Sequence, residues 1–199
     1  MYPRQMSTTP KILAFAGSLR RDSWNKKVVK IAADAARSSG ADVTYLDLAE
    51  LPMPPYDGDL EQAEGLPDNA ARLRELLLAH DGLLIASPEN NSSISGTLKN
   101  AIDWATRTKE KKGSTDAFQG KVAGLLAAST GALGGVRGLL AVRSILGNIG
   151  VLVLPEQATI PKAQDAFGPD GKLKDERQQA SVEKVGKRLA QVVGALASR

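Results

Sequence analysis

The sequence predicts an α/β fold with a doubly wound, five-stranded parallel sheet of strand order 2-1-3-4-5. Short apolar runs rich in β-formers alternate with longer helical patterns along the chain, and five such runs are present. The 199 residues, 42% of them hydrophobic, suffice for one substantial core and require no second domain. We therefore expect a flexible N-terminal tail over residues 1–10 and a single domain over residues 11–199.

Each predicted strand leads into a turn and then, in most cases, a helix. The first strand is Lys11–Ala16, and Gly40 ends the helix that follows it. The proline-rich segment 52–58 cannot be regular, because proline removes a donor and fixes φ. Residues 82–87 form a nearly continuous apolar run, as expected for a strand buried on both faces. The predicted strands are 11–16, 42–48, 82–87, 121–128 and 151–154, and the predicted helices are 26–39, 67–80, 96–107, 136–147 and 176–196.

The composition excludes several kinds of chemistry. There are no cysteines, which excludes thiolate metal sites and thiol catalysis, and the single histidine, His80, is too little for a histidine metal cluster or a Ser-His-Asp triad. The net charge of +4 comes from interspersed lysines and arginines, which favours an anionic small molecule over nucleic acid as a partner. No apolar run reaches the roughly 20 residues that span a bilayer, so we expect a cytoplasmic protein without membrane contact.

Functional residues are expected in the loops after the first, third and fourth strands. Ligands of such sheets bind outside the carboxyl ends of the strands, at the switch between the first and third strands. The first loop, residues 17–25, combines hydroxyls, an arginine and a helix N-terminus, which together suit a phosphate. It lacks GxGxxG and GxxxxGK[ST], so a monophosphate nucleotide is favoured over NAD or ATP. The alternative for this loop is simple helix capping. The candidate phosphate ligands are Ser18, Arg20, Ser23 and Asn25.

The other two loops suit a flavin. The second, residues 87–96, carries many donors and acceptors directly after a buried strand, and Asn and Ser side chains match the ribityl hydroxyls and the polar edge of the ring. The third, residues 129–135, is rich in glycines, which let backbone N–H groups approach a ring closely. Each loop alone is equally consistent with an ordinary turn. The convergence of all three loops on one sheet edge favours a binding site.

Three stretches resemble the NADPH-dependent FMN reductase family, a flavodoxin-like family that includes quinone, chromate and azo reductases. They are GSLRRDSWN at 17–25, SPENNSSISGTLKNAIDW at 87–104 and STGALGG at 129–135, and the resemblance covers about residues 11–165. It implies FMN as cofactor, NADPH or NADH as electron donor, and a homodimer or homotetramer. The FMN ligands that it implies are Ser18, Arg20, Ser23 and Asn25 for the phosphate, Pro88, Glu89, Asn90, Asn91 and Ser93 for the ribityl chain and ring, and Ser129, Gly131, Gly134 and Gly135 for the polar edge of the ring.

One position departs from the family pattern. The family usually has Pro-Glu-Tyr-Asn, whereas this chain has Asn90 at the position of the tyrosine. Stacking between aromatic rings is worth roughly 0.5–1.5 kcal/mol. Loss of the aromatic neighbour would enlarge the acceptor pocket, weaken FMN retention or alter nicotinamide stacking.

The hypothesis that follows is a ping-pong reductase. The nicotinamide stacks on the exposed flavin face, gives hydride to N5 and leaves, and a quinone, free flavin, azo compound or metal oxyanion takes its place. No side chain is required as a catalytic acid or base, and no metal is involved. One alternative is a flavodoxin-like electron carrier, which only 4% aromatic residues and the positive net charge disfavour. Another is an FMN-binding regulatory protein without turnover.

Overall fold

Strands and helices alternate along the chain in the computed structural model, which describes residues 9–197. Most of the predicted tail, residues 1–8, lies outside the described residues. In chain order the elements are β1 (Lys11–Ala16), α1 (Trp24–Ser38), β2 (Asp42–Leu46), a 3-10 turn (Leu48–Glu50), α2 (Gly58–Glu64), α3 (Asp68–Ala79), β3 (Gly82–Ala86), β4 (Glu89–Asn90), β5 (Ser93–Ile94), α4 (Gly96–Ala105), β6 (Val122–Ala128), α5 (Val136–Asn148), β7 (Leu152–Ile160), α6 (Ala163–Ala166) and α7 (Glu176–Ala197).

The main sheet consists of five parallel strands in the order β2-β1-β3-β6-β7. Because β6 and β7 are the fourth and fifth of these strands along the chain, the predicted flavodoxin-like order 2-1-3-4-5 is confirmed. The chain runs outward from β1 to β2 and then crosses back to β3 on the other side of β1. The loops that leave β1 and β3 therefore diverge, and a crevice opens between them at the carboxyl edge of the sheet.

Alternate residues of β1 show how the sheet separates two helical layers. Ile12 and Ala14 pack with α1 and α7, whereas Leu13 and Phe15 pack with α3, α4 and α5. All four side chains are buried. A central parallel strand that is covered on both faces requires this continuous apolar character.

The edge strand β7 is longer than the sequence predicts. We expected it to end at Leu154, before Pro155, but it continues to Ile160. The pairing of β6 with β7 shifts register between Ala123 and Leu125, so additional β7 residues bulge at that point. Proline is tolerated at bulges and on edge strands because no ladder donor is needed there. The prediction was wrong here because it treated the proline as the end of the strand.

Four short elements escaped prediction: the 3-10 turn, α2, α6 and the β4–β5 hairpin. The second strand was predicted over residues 42–48, but it ends at Leu46 and the 3-10 turn begins at Leu48. The helix α2 begins at Asp57, whose carboxylate accepts a hydrogen bond from the Asp59 backbone N–H at 2.8 Å. It has only seven residues, too few for helical periodicity to be visible in the sequence. Among residues 9–197, no helix combines the length and the apolar character needed to cross a membrane.

Candidate active site

The loops after β1, β3 and β6 lie side by side because backbone hydrogen bonds of the sheet type continue past the strand ends. Each loop begins with an N–H group that donates to a carbonyl at the end of the neighbouring strand. This fixes the starting points of the three loops at one edge of the sheet. The bonds run from Gly17 to Ala86 (2.9 Å), from Ser87 to Leu126 (2.9 Å) and from Ser129 to Ile160 (3.0 Å).

The three loops enclose a mainly polar cleft of about 450 Å³. This volume is within the range of about 300–1,000 Å³ that is usual for small-ligand sites. Five of the predicted ligands, Asn91, Ser93, Gly131, Gly134 and Gly135, do not line it. The predicted residues that do are Ser18, Arg20, Ser23, Asn25, Pro88, Glu89, Asn90 and Ser129.

The first loop leaves the N-terminus of α1 open to an anion. Ser23 is the N-cap, but its hydroxyl does not cap the helix, and the first turn of α1 contains no acidic residue. The Ser18 hydroxyl lies in the same cleft and accepts a 3.4 Å hydrogen bond from the backbone N–H of Arg20. The Arg20 side chain is exposed at the rim. The positive end of the helix dipole, two hydroxyls and a guanidinium together form a donor set that fits a phosphate group.

Asn25 lines the cleft and also has partners within the protein. Its side-chain amide donates to the carbonyl of Ala128 and accepts from the N–H of the same residue, both at 2.9 Å. Both ends of the amide are therefore engaged with the last residue of β6. Asn25 lines the cleft, but it joins the first loop to the third rather than offering free polar atoms to a ligand.

The second loop is held in shape by a tight hairpin. Asn90 of β4 pairs with Ser93 of β5, and only Asn91 and Ser92 connect them. Both connecting residues have positive φ, 51° and 63°, as a two-residue hairpin turn of the primed type requires. Asn91 is therefore at the tip of the hairpin, whereas Asn90 lines the cleft.

Glu89 joins the second loop to α5. Its carboxylate accepts hydrogen bonds from the backbone N–H groups of Arg137 and Gly138, at 3.0 and 3.1 Å, and from the Arg137 side chain. Burial acts to raise the pKa of Glu89, but the hydrogen bonds from Arg137 and Gly138 outweigh it and hold the pKa below its ordinary value. Glu89 thus caps the helix that follows the third loop and remains ionised.

The glycines of the third loop are explained largely by the turn itself. Gly134 and Gly135 have positive φ, 61° and 94°. A Cβ atom on Gly135 would lie 2.8 Å from that of Ala127, and one on Gly134 would lie 2.9 Å from the backbone nitrogen of Pro161. Gly131 is less constrained, and its N–H donates to the Ser129 hydroxyl at 3.1 Å. Glycine at 134 and 135 is required for packing whether or not a ligand is bound.

Several residues that line the cleft were not predicted. Leu19, Trp24 and Thr130 lie within the predicted loops. Leu19 and Trp24 did not match the polar residues and glycines that were preferred as candidates, whereas Thr130 did match and was missed. Their position within the loops was the available signal. No group of His, Cys, Asp or Glu side chains in the described part of the chain could hold a metal ion.

Comparison with known proteins supports a flavin site. The family model described as NADPH-dependent FMN reductase matches residues 10–165. An NAD(P)H-dependent FMN reductase of Pseudomonas aeruginosa is 36% identical over 179 residues, which are 89% of this chain and 92% of that protein. A quinone reductase of Escherichia coli K12 is 33% identical over 149 residues, 75% of this chain and 76% of that protein. The solved structure of a flavoenzyme NAD(P)H:(acceptor) oxidoreductase from Paracoccus denitrificans superposes with a TM-score of 0.77 at 26% identity, covering 93% of this chain and 97% of that one.

Proposed function

The chain belongs to the NADPH-dependent FMN reductase family, and we propose that it passes electrons from NAD(P)H through FMN to a small acceptor such as a quinone. It is an NAD(P)H-dependent oxidoreductase that uses FMN as its cofactor. The observation that carries the proposal is the cleft at the β1/β3 switch, where the open N-terminus of α1 meets the hairpin loop and the third loop. Free flavin, an azo compound and a metal oxyanion are further acceptors within the proposal.

The donor set of the cleft fits FMN in two parts. Ser18, Arg20 and Ser23 would hold the phosphate at the N-terminus of α1, where no acidic residue opposes it. Asn90 and Ser129, from the other two loops, line the same cleft and would meet the ribityl chain and the polar edge of the ring. Pro88 lines the cleft beside Asn90 and would contact the same part of the cofactor. The five predicted ligands that do not line the cleft would act through the shape of the two loops; they are Asn91, Ser93, Gly131, Gly134 and Gly135.

The protein residues position and orient rather than react. When bound, FMN supplies the redox chemistry, because its ring takes hydride from the nicotinamide and returns two electrons to the acceptor. Glu89 and Asn25 hold the three loops at fixed separation through their bonds to α5 and β6. Backbone N–H groups of the third loop would stabilise negative charge at the edge of the reduced ring. This arrangement needs no side-chain acid or base, and it is compatible with a ping-pong order of donor and acceptor.

The proposal includes a cytoplasmic location and a homodimer or homotetramer. Exposed leucines on two elements of the described chain support self-association. Leu140 on α5 is 61% exposed and Leu152 at the start of β7 is 56% exposed. Burial of these two side chains in an oligomer would remove apolar surface from water.

Anaerobic stopped-flow reduction of the FMN-loaded protein tests the proposal. The protein is mixed with NADPH or NADH, and the absorbance band of oxidised flavin is followed, with free FMN at the same concentration as the control. Rapid bleaching with at least one donor, far faster than for free FMN, is the expected result. Tight FMN binding without bleaching would overturn the reductase and favour a carrier or a regulatory protein.

A further inference from the structure

A second cleft lies next to the flavin cleft and differs from it in character. It has a volume of about 600 Å³ and is lined mainly by apolar residues of the 48–56 segment. Its floor contains Leu48 and Leu51, both buried, and Met53, Pro52 and Pro55 form its wall. The α4 side of the cleft is polar and carries Asn100 and the Lys99–Asp103 ion pair. The apolar surface that suits a hydrocarbon ligand is therefore the side formed by residues 48–56.

The wall of this apolar cleft is held rigidly against α4. The Asn100 side chain donates to the carbonyl of Pro54 at 2.9 Å and accepts from the N–H of Tyr56 at 2.7 Å. The Trp104 indole also donates to Pro54, at 2.8 Å, and its ring meets the Tyr56 ring edge-on at 5.0 Å. A proline-rich segment that would otherwise be loosely placed is therefore fixed at several points. A fixed wall reduces the conformational entropy that a ligand must remove on binding.

A buried ion pair secures the far end of the same segment. Glu61 of α2 is 1% exposed, and its carboxylate accepts from Arg107 at 2.8 Å and from the Tyr56 hydroxyl at 3.1 Å. The Arg107 guanidinium also lies 5.8 Å from the Tyr56 ring centroid. Tyr56 is thus held by contacts with α2, α4 and Arg107.

The two clefts adjoin each other. Leu19 and Thr97 line both of them. Leu19 is 55% exposed, so a large apolar side chain stands at the boundary without a partner to bury it. Consider an acceptor whose redox-active ring lies in the flavin cleft. An apolar substituent of that ring, directed past Leu19, would extend into the second cleft.

We propose that this apolar cleft binds the hydrocarbon substituent of the electron acceptor, so that the preferred substrates are quinones that carry an alkyl chain or a fused ring. The inference rests on the proposed function, because it assigns the acceptor class of the same site. NAD(P)H loses a hydride, which carries two electrons and one proton, and the second proton comes from solvent. The quinone takes up the two electrons and both protons and leaves as the hydroquinone. The substituent does not react and contributes binding only.

The test compares p-benzoquinone with decyl-substituted p-benzoquinone in steady-state kinetics of the FMN-loaded protein. Met53→Asp places a charge in the cleft wall, and Met53→Trp fills the cleft without a charge. We expect both variants to lower kcat/KM for the decyl quinone by roughly tenfold or more, because a hydrophobic pocket loses this much from a small change in apolar contact. For p-benzoquinone the change should stay within about twofold. Comparing each variant with the parent cancels the difference in reduction potential between the two quinones.

A binding measurement shows whether the lower kcat/KM for the decyl quinone comes from weaker binding or from slower turnover. In a Trp24→Phe background, Trp104 is the remaining tryptophan, and it contacts the cleft wall. Titration with the oxidised decyl quinone, without NAD(P)H, should quench its fluorescence at lower concentration in the parent than in Met53→Asp. Gln191→Asp, at an exposed position of α7 that lines neither cleft, is the control and should leave quenching unchanged.

Three outcomes would overturn the inference. Equal losses of kcat/KM for both quinones would show that the cleft does not bind the substituent. Unchanged decyl-quinone kinetics in both Met53 variants, with unchanged quenching in Met53→Asp, would show that the substituent does not occupy the cleft. Dissociation of an oligomer by Met53→Asp in sedimentation velocity, with equal losses for both quinones, would assign the cleft to a second copy of the chain. Reduction of the flavin by NAD(P)H is measured in a separate experiment. Absence of flavin bleaching there would contradict the proposed function, whereas the three outcomes above contradict only the inference about the substituent.

Discussion

The Glu89 carboxylate, on the loop after β3, accepts a 2.8 Å hydrogen bond from Nε of Arg137, the second residue of α5. The same carboxylate receives the first free N–H groups of that helix. Capping of a helix normally comes from the residue just before it, yet α5 is preceded by Gly135, which has no side chain. The second loop therefore supplies the cap that the third loop lacks, and the two loops become one unit.

Replacing Glu89 by Gln should destabilise the protein by about 1–3 kcal/mol. The charge-assisted hydrogen bonds to α5 are lost, while the side chain at position 89 remains half-buried. FMN affinity should fall as well, since the second and third loops are no longer held together. Urea unfolding and flavin-fluorescence titration measure the two effects. Glu183→Gln, in an exposed pair with Lys187 on α7, is the matched control and should change stability by less than about 1 kcal/mol. Equal effects of the two substitutions would contradict the capping role.

The pH dependence of this stabilisation has a definite sign. Burial raises the pKa of Glu89, but the bonds from Arg137 and Gly138 hold it below the ordinary value of 4.5. A carboxyl with a lower pKa in the folded than in the unfolded state stabilises the fold fully above the unfolded value, and the effect is lost as the pH falls through the folded value. The stability difference between the parent and Glu89→Gln should therefore be full at neutral pH and shrink below pH 4.5. A difference that grows towards acid would contradict this assignment.

Replacing Arg20 by Ala should weaken FMN binding without weakening riboflavin binding. A charge-assisted hydrogen bond to phosphate is worth about 1.5–3 kcal/mol, or roughly a tenfold to hundredfold rise in Kd. Riboflavin lacks the phosphate, so its affinity should not change. Arg21→Ala is the matched control, because Arg21 is the exposed neighbour that does not line the cleft. An equal loss of both ligands, or the same loss in Arg21→Ala, would place the phosphate elsewhere.

Elements whose local residue pattern agrees with their place in the fold could be predicted from the sequence. Contacts between residues far apart in the chain could not. The strand β1 was predicted to the residue, because its apolar run, its turn and its burial all agree. The extension of β7 beyond Pro155 depends on an edge position and a bulge, neither of which is encoded locally. The amide of Asn25 is used by Ala128, 103 residues away, and Glu89 caps a helix 48 residues away. Polar residues in the right loop could be recognised as candidates, but their partners required the fold.

Replacing Glu61 by Gln should destabilise the protein by about 3 kcal/mol, because Arg107 would keep its charge in a largely buried position without its partner. The Arg107 hydrogen bond is the main reason that the pKa of Glu61 lies below its ordinary value. Thermal unfolding measures the loss. Glu64→Gln, an exposed residue at the end of the same helix, controls for the change in net charge. If both variants unfold at the same temperature as the parent, the pair does not hold the 52–66 segment in place.

Two glycine-to-alanine substitutions should change stability in opposite directions. Gly186 of α7 lies where a Cβ atom would be 2.0 Å from the carbonyl oxygen of Ala32 in α1. Alanine there must push the two helices apart, and such overpacking costs about 1–3 kcal/mol or more. Gly147, in the last turn of α5, has no atom within 4 Å of the same added Cβ. Because alanine restricts the unfolded chain and favours helix, Gly147→Ala should stabilise the protein by about 0.4–1 kcal/mol. Urea unfolding of both variants beside the parent measures the two effects. A Gly186→Ala variant as stable as the parent would show that the α1–α7 contact does not depend on Gly186.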